Sequence, residues 1–132
     1  MKKLYSYLPK RFIMNKNEYF LYKLLIQAVE GKYTVIPQVH LDELVKPDSN
    51  LKDWIYSLRH INQKSVDFVI CKIGGMHPLL AIELDGDSHL KEETVKRDQE
   101  VERILMEAKV PLVRFKNNHN LTVEILADIV KK

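Results

Sequence analysis

Two short apolar stretches contain acidic residues at positions where a protein core is expected: Val66-Asp67-Phe68-Val69-Ile70 and Ala81-Ile82-Glu83-Leu84-Asp85-Gly86. They lie within Ser65 to Lys72 and Leu79 to Asp85, whose β-branched and apolar residues predict two strands. The segment from Ile73 to Pro78 contains two glycines and joins them as a hairpin loop or open turn, so we expect antiparallel neighbours. Val66, Phe68 and Ile70 are expected to share one face of the first strand, with Asp67 and Val69 on the other. Both faces of each strand are largely apolar, which predicts a sheet covered on both sides.

The rest of the chain supplies the elements around these strands. Apolar periodicity predicts three helices, at Asn15 to Val29, Glu92 to Ala108 and Asn120 to Val130, and residue types predict two further strands, at Tyr33 to Val39 and Pro111 to Phe115. Gly31 is expected to stop the first helix, and the last helix is expected to direct Leu121, Ile125, Leu126 and Ile129 inward. Pro37 places its strand at a sheet edge or ends it early. Residues 40–60 have mixed signals, a turn at residues 47–50 and then a short helix carrying Trp54, Ile55 and Leu58. The order predicts an α/β domain with a mixed central sheet flanked by helices and a C-terminal helix.

Length and composition limit the possible classes of protein. The 132 residues, 45% hydrophobic and 30% charged, fit one ordered domain over residues 1–132 with its core at about 15–116. Cys71 is the only cysteine, which excludes an internal disulfide and a Cys-x-x-Cys site and suits a reducing cytoplasm. No apolar run is long enough to cross a bilayer, so no membrane association is expected. The net charge of +3 only slightly favours nucleic acid as a partner.

The acidic residues of the two central strands point to a metal site. Glu83 and Asp85 are two residues apart and therefore share a face, and Asp67 joins them if the strand register allows. Desolvating such carboxylates costs several kcal/mol for each unpaired ion, by rough estimate, unless a cation or shared proton compensates. Oxygen ligands favour magnesium, manganese or calcium over zinc, and phosphodiester cleavage is the reaction expected there. The alternative is an exposed strand end at which Asp85 and Gly86 only open a turn.

Polar residues near these acids have both functional and structural interpretations. His89 follows Asp85 by four residues and is either a general base near the site or an ordinary loop histidine. Arg97 and Asp98 continue the inward stripe of the long helix toward its N-terminal end. Arg97 then either binds a phosphate or balances the acids, or forms an end-of-helix ion pair with Asp98.

Two further residues are weaker candidates. Glu18 lies on the inward stripe of the first helix, but Asn15-Lys16-Asn17-Glu18 matches a capping box, which favours a structural role. Lys64 directly precedes the strand of Asp67 and is a candidate phosphate ligand.

Taken together, these motifs resemble the PD-(D/E)XK nuclease superfamily, and the order of elements agrees with its restriction-endonuclease-like αβββαβ core. The closer resemblance is to the branch of very-short-patch-repair endonucleases and related uncharacterised domains, in which E-x-D-G-x-x-H precedes an Arg-Asp helix and an aliphatic strand. The matching residues here are Glu83, Asp85, Gly86 and His89, then Arg97 and Asp98, then Val110 to Phe115. The similarity extends from Asn17 to Phe115.

The resemblance implies that Asp67 and Glu83 bind metal, that Asp85 takes the place of the superfamily's lysine, and that His89 assists near the attacking water. Without that lysine, the negative charge of the transition state has to be stabilised by the metal, His89, Arg97 or another lysine such as Lys64 or Lys96. One cysteine cannot reproduce the structural zinc of the repair enzymes, so mismatch repair is not carried over.

The expected function is that of a Mg²⁺- or Mn²⁺-dependent endonuclease-like phosphodiesterase, with Asp67, Glu83 and Asp85 around the metal and a metal-activated water as nucleophile. DNA rather than RNA is the expected substrate, while oligomeric state is left open. The alternative is a catalytically inactive module that keeps the nuclease fold and binds nucleic acid or a protein partner.

Overall fold

The computed structural model describes residues 5–48, 56, 59, 61–85 and 92–131. Within them the chain forms these helices and strands: α1 (Lys16–Val29), β1 (Tyr33–His40), α2 (Leu41–Leu44), β2 (Ser65–Lys72), β3 (Pro78–Leu84), α3 (Glu92–Glu107), β4 (Leu112–Phe115) and α4 (Val123–Lys131). The predicted order of elements is confirmed, with α2 as an addition inside the ambiguous segment. The helix predicted around Trp54, Ile55 and Leu58 lies outside the described residues.

The four strands of the sheet lie in the order β1-β2-β3-β4. β1 pairs antiparallel with β2 and β2 antiparallel with β3, whereas β4 runs parallel to β3. The sheet is therefore mixed, as predicted, and the hairpin of β2 and β3 is its centre. Pro37 lies in β1, at the edge of the sheet, where a residue without an N–H group can be tolerated.

Each face of the sheet is covered by its own apolar cluster. On the first face, Phe68 and Ile82 pack with Leu21 and Leu25 of α1 and with Leu126 of α4. The second face has α3 over it, and its cluster consists of Val39, Leu41, Ile61, Val66, Val69, Cys71, Ala81, Val101, Leu105 and Val110. The expectation of a sheet covered on both sides is confirmed. Neither face of the sheet is open to solvent at its centre, so Glu83 in β3 is buried.

Two expectations about which residues face the core were wrong. Ile125 was expected inward, but it is 44% exposed, because α4 begins at Val123 rather than Asn120 and directs the adjacent Leu126 into the core. Val66 was expected to pack with Phe68 and Ile70. It packs in the second cluster instead, because α2 and Ile61 close that end of the sheet.

The ends of α1 follow from local sequence. Asn15 is the N-cap, in an extended conformation, and Glu30 ends the helix in the left-handed region with φ of 49°. Gly31, predicted as the stop, continues in that region with φ of 74° and brings the chain into β1. Among the described residues, no helix is both long and apolar enough to span a membrane.

Candidate active site at the end of the central hairpin

Asp67 and Glu83 meet at the end of the central hairpin. The antiparallel pairing of β2 with β3 includes Phe68 opposite Ile82, so the next position outward on each strand places Asp67 opposite Glu83. Directly opposed residues of an antiparallel pair share a face and lie close together. Glu83 is only 8% exposed and Asp67 is partly buried. The expected meeting of these two acids is confirmed.

A backbone hydrogen bond holds Asp67 in place. The Leu84 N–H group donates to Oδ2 of Asp67 at 2.7 Å, so this carboxylate bridges from β2 to the backbone of β3. A charged acceptor on a backbone N–H group is among the stronger hydrogen bonds in proteins. The position of Asp67 relative to Glu83 is thus fixed by the strands themselves and does not depend on a flexible loop.

Burial makes it costly for both carboxyl groups to ionise together. Desolvation, with a further contribution from the charge of Asp67, raises the pKa of Glu83 to about 8, although Arg114 and Arg97 oppose the rise. Desolvation likewise raises the pKa of Asp67 to about 6, against the lowering effect of the Leu84 N–H group. At neutral pH, and with no cation bound, the pair holds a proton on Glu83. Within the described residues, no ion pair reaches either carboxylate.

The third acid of the predicted cluster is engaged differently. Asp85 follows the end of β3, and its Oδ1 lies 3.3 Å from Nη1 of Arg114. Arg114 lies in β4 in register with Glu83, and it also contacts Asp98, with Nη1 3.6 Å from Oδ2 and Nη2 donating to the carbonyl oxygen at 3.0 Å. Arg114 therefore neutralises two acids at the rim of the site.

Arg114 was missing from the predicted site. It alternates with Val113 and Phe115 in a short apolar strand, and a cation inside such a strand is a signal of the same kind as Glu83. That signal was available in the sequence. The partners of Arg114, by contrast, depend on how β4 pairs with β3, which the pattern of residues does not specify.

Arg97 forms the predicted ion pair and also acts on the acids, while phosphate binding by this residue stays a prediction. Its Nη1 lies 3.5 Å from Oδ1 of Asp98, which is the end-of-helix ion pair, and its Nη2 donates to the Ser65 carbonyl oxygen at 3.2 Å. Its positive charge also lowers the pKa values of Asp67 and Glu83. Arg97 thus ties α3 to the start of β2 and contributes positive potential at the acids.

Glu18 forms the predicted capping box and also faces the site. Its N–H group donates to Oδ1 of Asn15 at 2.8 Å, and its Oε1 accepts from the Asn15 N–H group at 3.0 Å. Its Oε2 accepts from Nε2 of Gln38 at 2.9 Å, and its proximity to Asp67 contributes to the raised pKa of that residue. The structural role is confirmed, and Glu18 lies at the border of the carboxylate pair as well.

The predicted nucleic-acid-binding residues gather beside the site. Lys64, Lys96 and Arg97 line one open depression of about 370 Å³, whose other lining residues are Asn62, Gln63 and Glu100. Nζ of Lys64 lies 3.1 Å from Oε2 of Glu100. Arg97 lines this basic depression, and its charge also lowers the pKa values of Asp67 and Glu83.

Among the described residues, two carboxylates of the predicted ligand set lie together, those of Asp67 and Glu83. No group of three His, Cys, Asp or Glu side chains within 5–48, 61–85 and 92–131 has an arrangement that would hold a metal ion by itself. Magnesium is commonly held by one or two carboxylates, with water and substrate phosphate in the remaining positions, so Asp67 and Glu83 fit it. His89, the predicted proton-handling residue, lies outside the described residues.

Comparison with known proteins places the chain in a family. A family model described as "protein of unknown function (DUF2726)" matches residues 10–132, so the chain belongs to this family. No curated protein and no solved structure matches the chain significantly. The family description assigns no chemistry.

Proposed function

We propose that this member of the DUF2726 family is a divalent-metal-dependent endonuclease-like phosphodiesterase, with DNA as its substrate and water as the nucleophile. The observation that carries the proposal is the buried meeting of Asp67 and Glu83 at the end of β2 and β3. The resemblance to PD-(D/E)XK nucleases supports the same assignment, since the equivalent acids are its metal ligands.

Burying two unpaired carboxylates destabilises a fold, so a site that retains them has a use for them. The pKa values of both acids are raised although Arg97 acts on both and Arg114 acts on Glu83, so these arginines offset the burial of the carboxylates only in part. Mg²⁺ or Mn²⁺ at this position would compensate both charges. When bound, such an ion neutralises phosphate charge and lowers the pKa of a coordinated water.

Each neighbouring side chain has a distinct part in the proposal. Asp67 and Glu83 would hold the cation, and the Leu84 N–H group fixes the position of the Asp67 carboxylate. Asp85 is held by Arg114 beside these two acids. Lys64, Lys96 and Arg97 bind the phosphate backbone along the basic depression. His89, by resemblance, handles the proton of the attacking water.

Arg97 and Arg114 are the candidates to replace the superfamily's lysine as a source of positive charge. Both lower the pKa of Glu83, which shows that their charges act at the carboxylates. The Arg97 side chain is 41% exposed and is therefore accessible to a phosphate, whereas the Arg114 side chain is 21% exposed and engaged with two acids. We assign the phosphate contact to Arg97.

The second candidate function is a catalytically inactive module with the nuclease fold that binds nucleic acid or a protein partner. Asp85 favours it, because this acid occupies the position of the superfamily's lysine and is already paired with Arg114. On this interpretation the basic depression still binds nucleic acid, but the carboxylates turn over no substrate.

Cleavage assays separate these functions. Supercoiled plasmid and circular single-stranded DNA are incubated with Mg²⁺, Mn²⁺ or EDTA and with wild type or Glu83→Gln. We expect metal-dependent cutting by the wild type and a rate at least about 100-fold lower in the variant, because a ligand to the cation is lost. Glu107→Gln is the matched control. It makes the same change on an exposed residue at the C-terminal end of α3, away from Arg97 and Asp98, and its cleavage rate should stay within about twofold of the wild-type rate.

The binding data decide between the remaining outcomes. If the folded wild type cuts neither DNA with either metal, yet wild type and Glu83→Gln bind DNA equally, the inactive module is the correct function. If the wild type neither cuts nor binds DNA, both nucleic-acid functions are wrong.

A further inference from the structure

An exposed aromatic segment precedes α1 and has no role in the site described above. Every residue from Tyr5 to Ile13 is exposed. Five of these are large apolar side chains with high exposed fractions: Tyr5 (75%), Tyr7 (84%), Leu8 (90%), Phe12 (69%) and Ile13 (83%). Single exposed apolar residues are ordinary, but a contiguous group marks an interaction surface.

The outer face of α1 continues this segment. Tyr19 is 52% exposed and Phe20 is 46% exposed, on the side of the helix away from Leu21 and Leu25. Lys16 and Lys23 lie on the same outer side, three or four residues from these rings. We call residues 5–13 together with Lys16, Tyr19, Phe20 and Lys23 the aromatic-basic surface.

Positive charge is interleaved with the rings of this surface. Between positions 5 and 23 the chain has four cations, Lys10, Arg11, Lys16 and Lys23, and one acid, Glu18. The excess equals the net charge of +3 of the whole chain, so the remaining residues balance. Two cations lie over rings: the guanidinium carbon of Arg11 is 5.3 Å from the Phe12 centroid, and Nζ of Lys23 is 5.1 Å from the Tyr19 centroid.

We propose that the aromatic-basic surface binds single-stranded nucleic acid, with bases stacked on Tyr19, Phe20 and the rings of residues 5–13 and phosphates on the adjacent cations. This deepens the proposed function and rests on it for the class of ligand. Alternating rings and cations match the alternation of bases and phosphates along a single strand. In a duplex the bases are already stacked on one another and are unavailable to the rings.

The surface is connected to the carboxylate pair through Glu18. This residue lies beside Tyr19 in α1, accepts a hydrogen bond from Gln38 of β1 and acts on the pKa of Asp67. Glu18 is therefore the residue of α1 that lies next to Tyr19 in the helix and also near Asp67.

Charge disfavours a second copy of this chain as the occupant. A two-fold interface would place the same four cations of each copy against one another, and like charges brought together in this way repel. The density of cations is instead complementary to a polyanion. A membrane with anionic lipids shares that charge, and the experiment includes it as a competing outcome.

The test is binding of fluorescein-labelled (dT)15 in EDTA, where no cleavage interferes, compared with a duplex of the same length. We expect wild type to prefer the single strand and expect Tyr19→Ala and Phe20→Ala each to weaken binding about tenfold, from the loss of one stacking platform. Ile125→Ala is the matched control, since Ile125 is an exposed apolar residue of α4 with 44% exposure, and its affinity should not change.

Salt dependence tests the phosphate contacts. Lys23→Ala should lower the slope of log affinity against log salt concentration by about 0.7, the value for one single-strand phosphate contact. Lys72→Ala, a change of an exposed lysine at the far end of β2, should leave the slope unchanged.

Four results would overturn the inference. The first is equal affinity of Tyr19→Ala, Phe20→Ala and wild type for (dT)15, and the second is a preference for the duplex. The third is a wild-type dimer that Tyr19→Ala converts to monomer without loss of (dT)15 affinity. The fourth is binding to phosphatidylserine vesicles, lost in Tyr19→Ala, with no binding to (dT)15. The proposed function survives each of these if metal-dependent cutting of duplex plasmid is still lost in Glu83→Gln.

Discussion

Two pairs of acidic residues lie near each other in the folded protein, and their surroundings differ. Asp85 and Asp98 share the guanidinium group of Arg114 at 3.3 and 3.6 Å. Asp67 and Glu83 face each other across β2 and β3, and their pKa values are raised, chiefly by burial, to about 6 and about 8. The negative charges of the first pair are compensated by Arg114. Those of the second pair need a proton or an added cation to compensate them.

The presence or absence of a cationic partner indicates which acids are candidate metal ligands. The spacing of residues predicted one cluster of Asp67, Glu83 and Asp85 around a metal. In the structure Asp85 already has Arg114 as its cationic partner, whereas no ion pair of the described residues reaches Asp67 or Glu83, whose pKa values are raised by burial. The unbalanced pair is therefore the candidate metal site, and the balanced pair supports it.

The largest effect on stability is expected from Glu83→Gln in EDTA. Because the folded-state pKa values of Glu83 and Asp67 exceed those of the unfolded chain, their contribution to stability is fully present below about pH 4 and is lost as the pH rises to about 8. Glutamine cannot ionise, so at pH 8 the free energy of unfolding of the variant should exceed that of the wild type by about 3 kcal/mol.

Urea unfolding at pH 4.0, 6.0 and 8.0 measures this difference. The two proteins should be nearly equal in stability at pH 4.0 and should diverge toward pH 8.0, and saturating Mg²⁺ should restore the wild type. A wild type that becomes more stable from pH 4.0 to 8.0 in EDTA would show that the pair is already compensated.

The balanced pair predicts the opposite result when its cation is removed. Arg114→Met leaves Asp85 and Asp98, which are 14% and 20% exposed, without their guanidinium partner. We expect the free energy of unfolding to fall by about 2 kcal/mol at pH 7, less than for a fully buried pair because water reaches both acids. Adding Asp85→Asn and Asp98→Asn to Arg114→Met should restore at least half of the loss, and a loss below about 0.5 kcal/mol would contradict the assigned role of Arg114.

The smallest expected effect concerns Arg97, which connects the two pairs. Its side chain is 41% exposed, so solvent screens its charge, and Arg97→Gln should change the free energy of unfolding by less than about 0.5 kcal/mol at pH 7. The titration midpoint of the Glu83 carboxyl carbon, followed by NMR in EDTA, should nevertheless move upward, because a positive charge that lowers this pKa is lost. Arg103→Gln, on an exposed position of α3, should leave the midpoint in place.

Much of the fold could be predicted because its signals are local. The alternation of apolar residues gave β2 and β3, Asn15 and Glu18 gave the start of α1, and Pro37 gave the edge position of β1. The start of α4 was predicted three residues too early, which placed Ile125 in the core. Asn120 and Thr122 are both acceptable N-caps in the sequence. In the structure the Ile125 N–H group donates to Oγ1 of Thr122 at 3.2 Å, and Leu126 packs in the cluster that contains Leu21 and Leu25 of α1.

The candidate site was predictable to the extent that it depends on the hairpin. A short loop between β2 and β3 fixes an antiparallel pair, and the period of two then places Asp67 and Glu83 on one face. Arg114 was missed because it enters from β4, which follows a helix of 16 residues. His89 lies outside the described residues, so its assignment stays a prediction.

The sequence by itself determined the central hairpin, the two acids at its end and the basic residues beside them, because these depend on residues close in the chain and on side-chain alternation. The tertiary structure alone decided which acids are balanced. Pairing β4 parallel to β3 puts Arg114 in register with Glu83 and within reach of Asp85 and Asp98. That pairing depends on how α3 packs over the sheet, and long-range packing of this kind has no counterpart in the local spacing of residues.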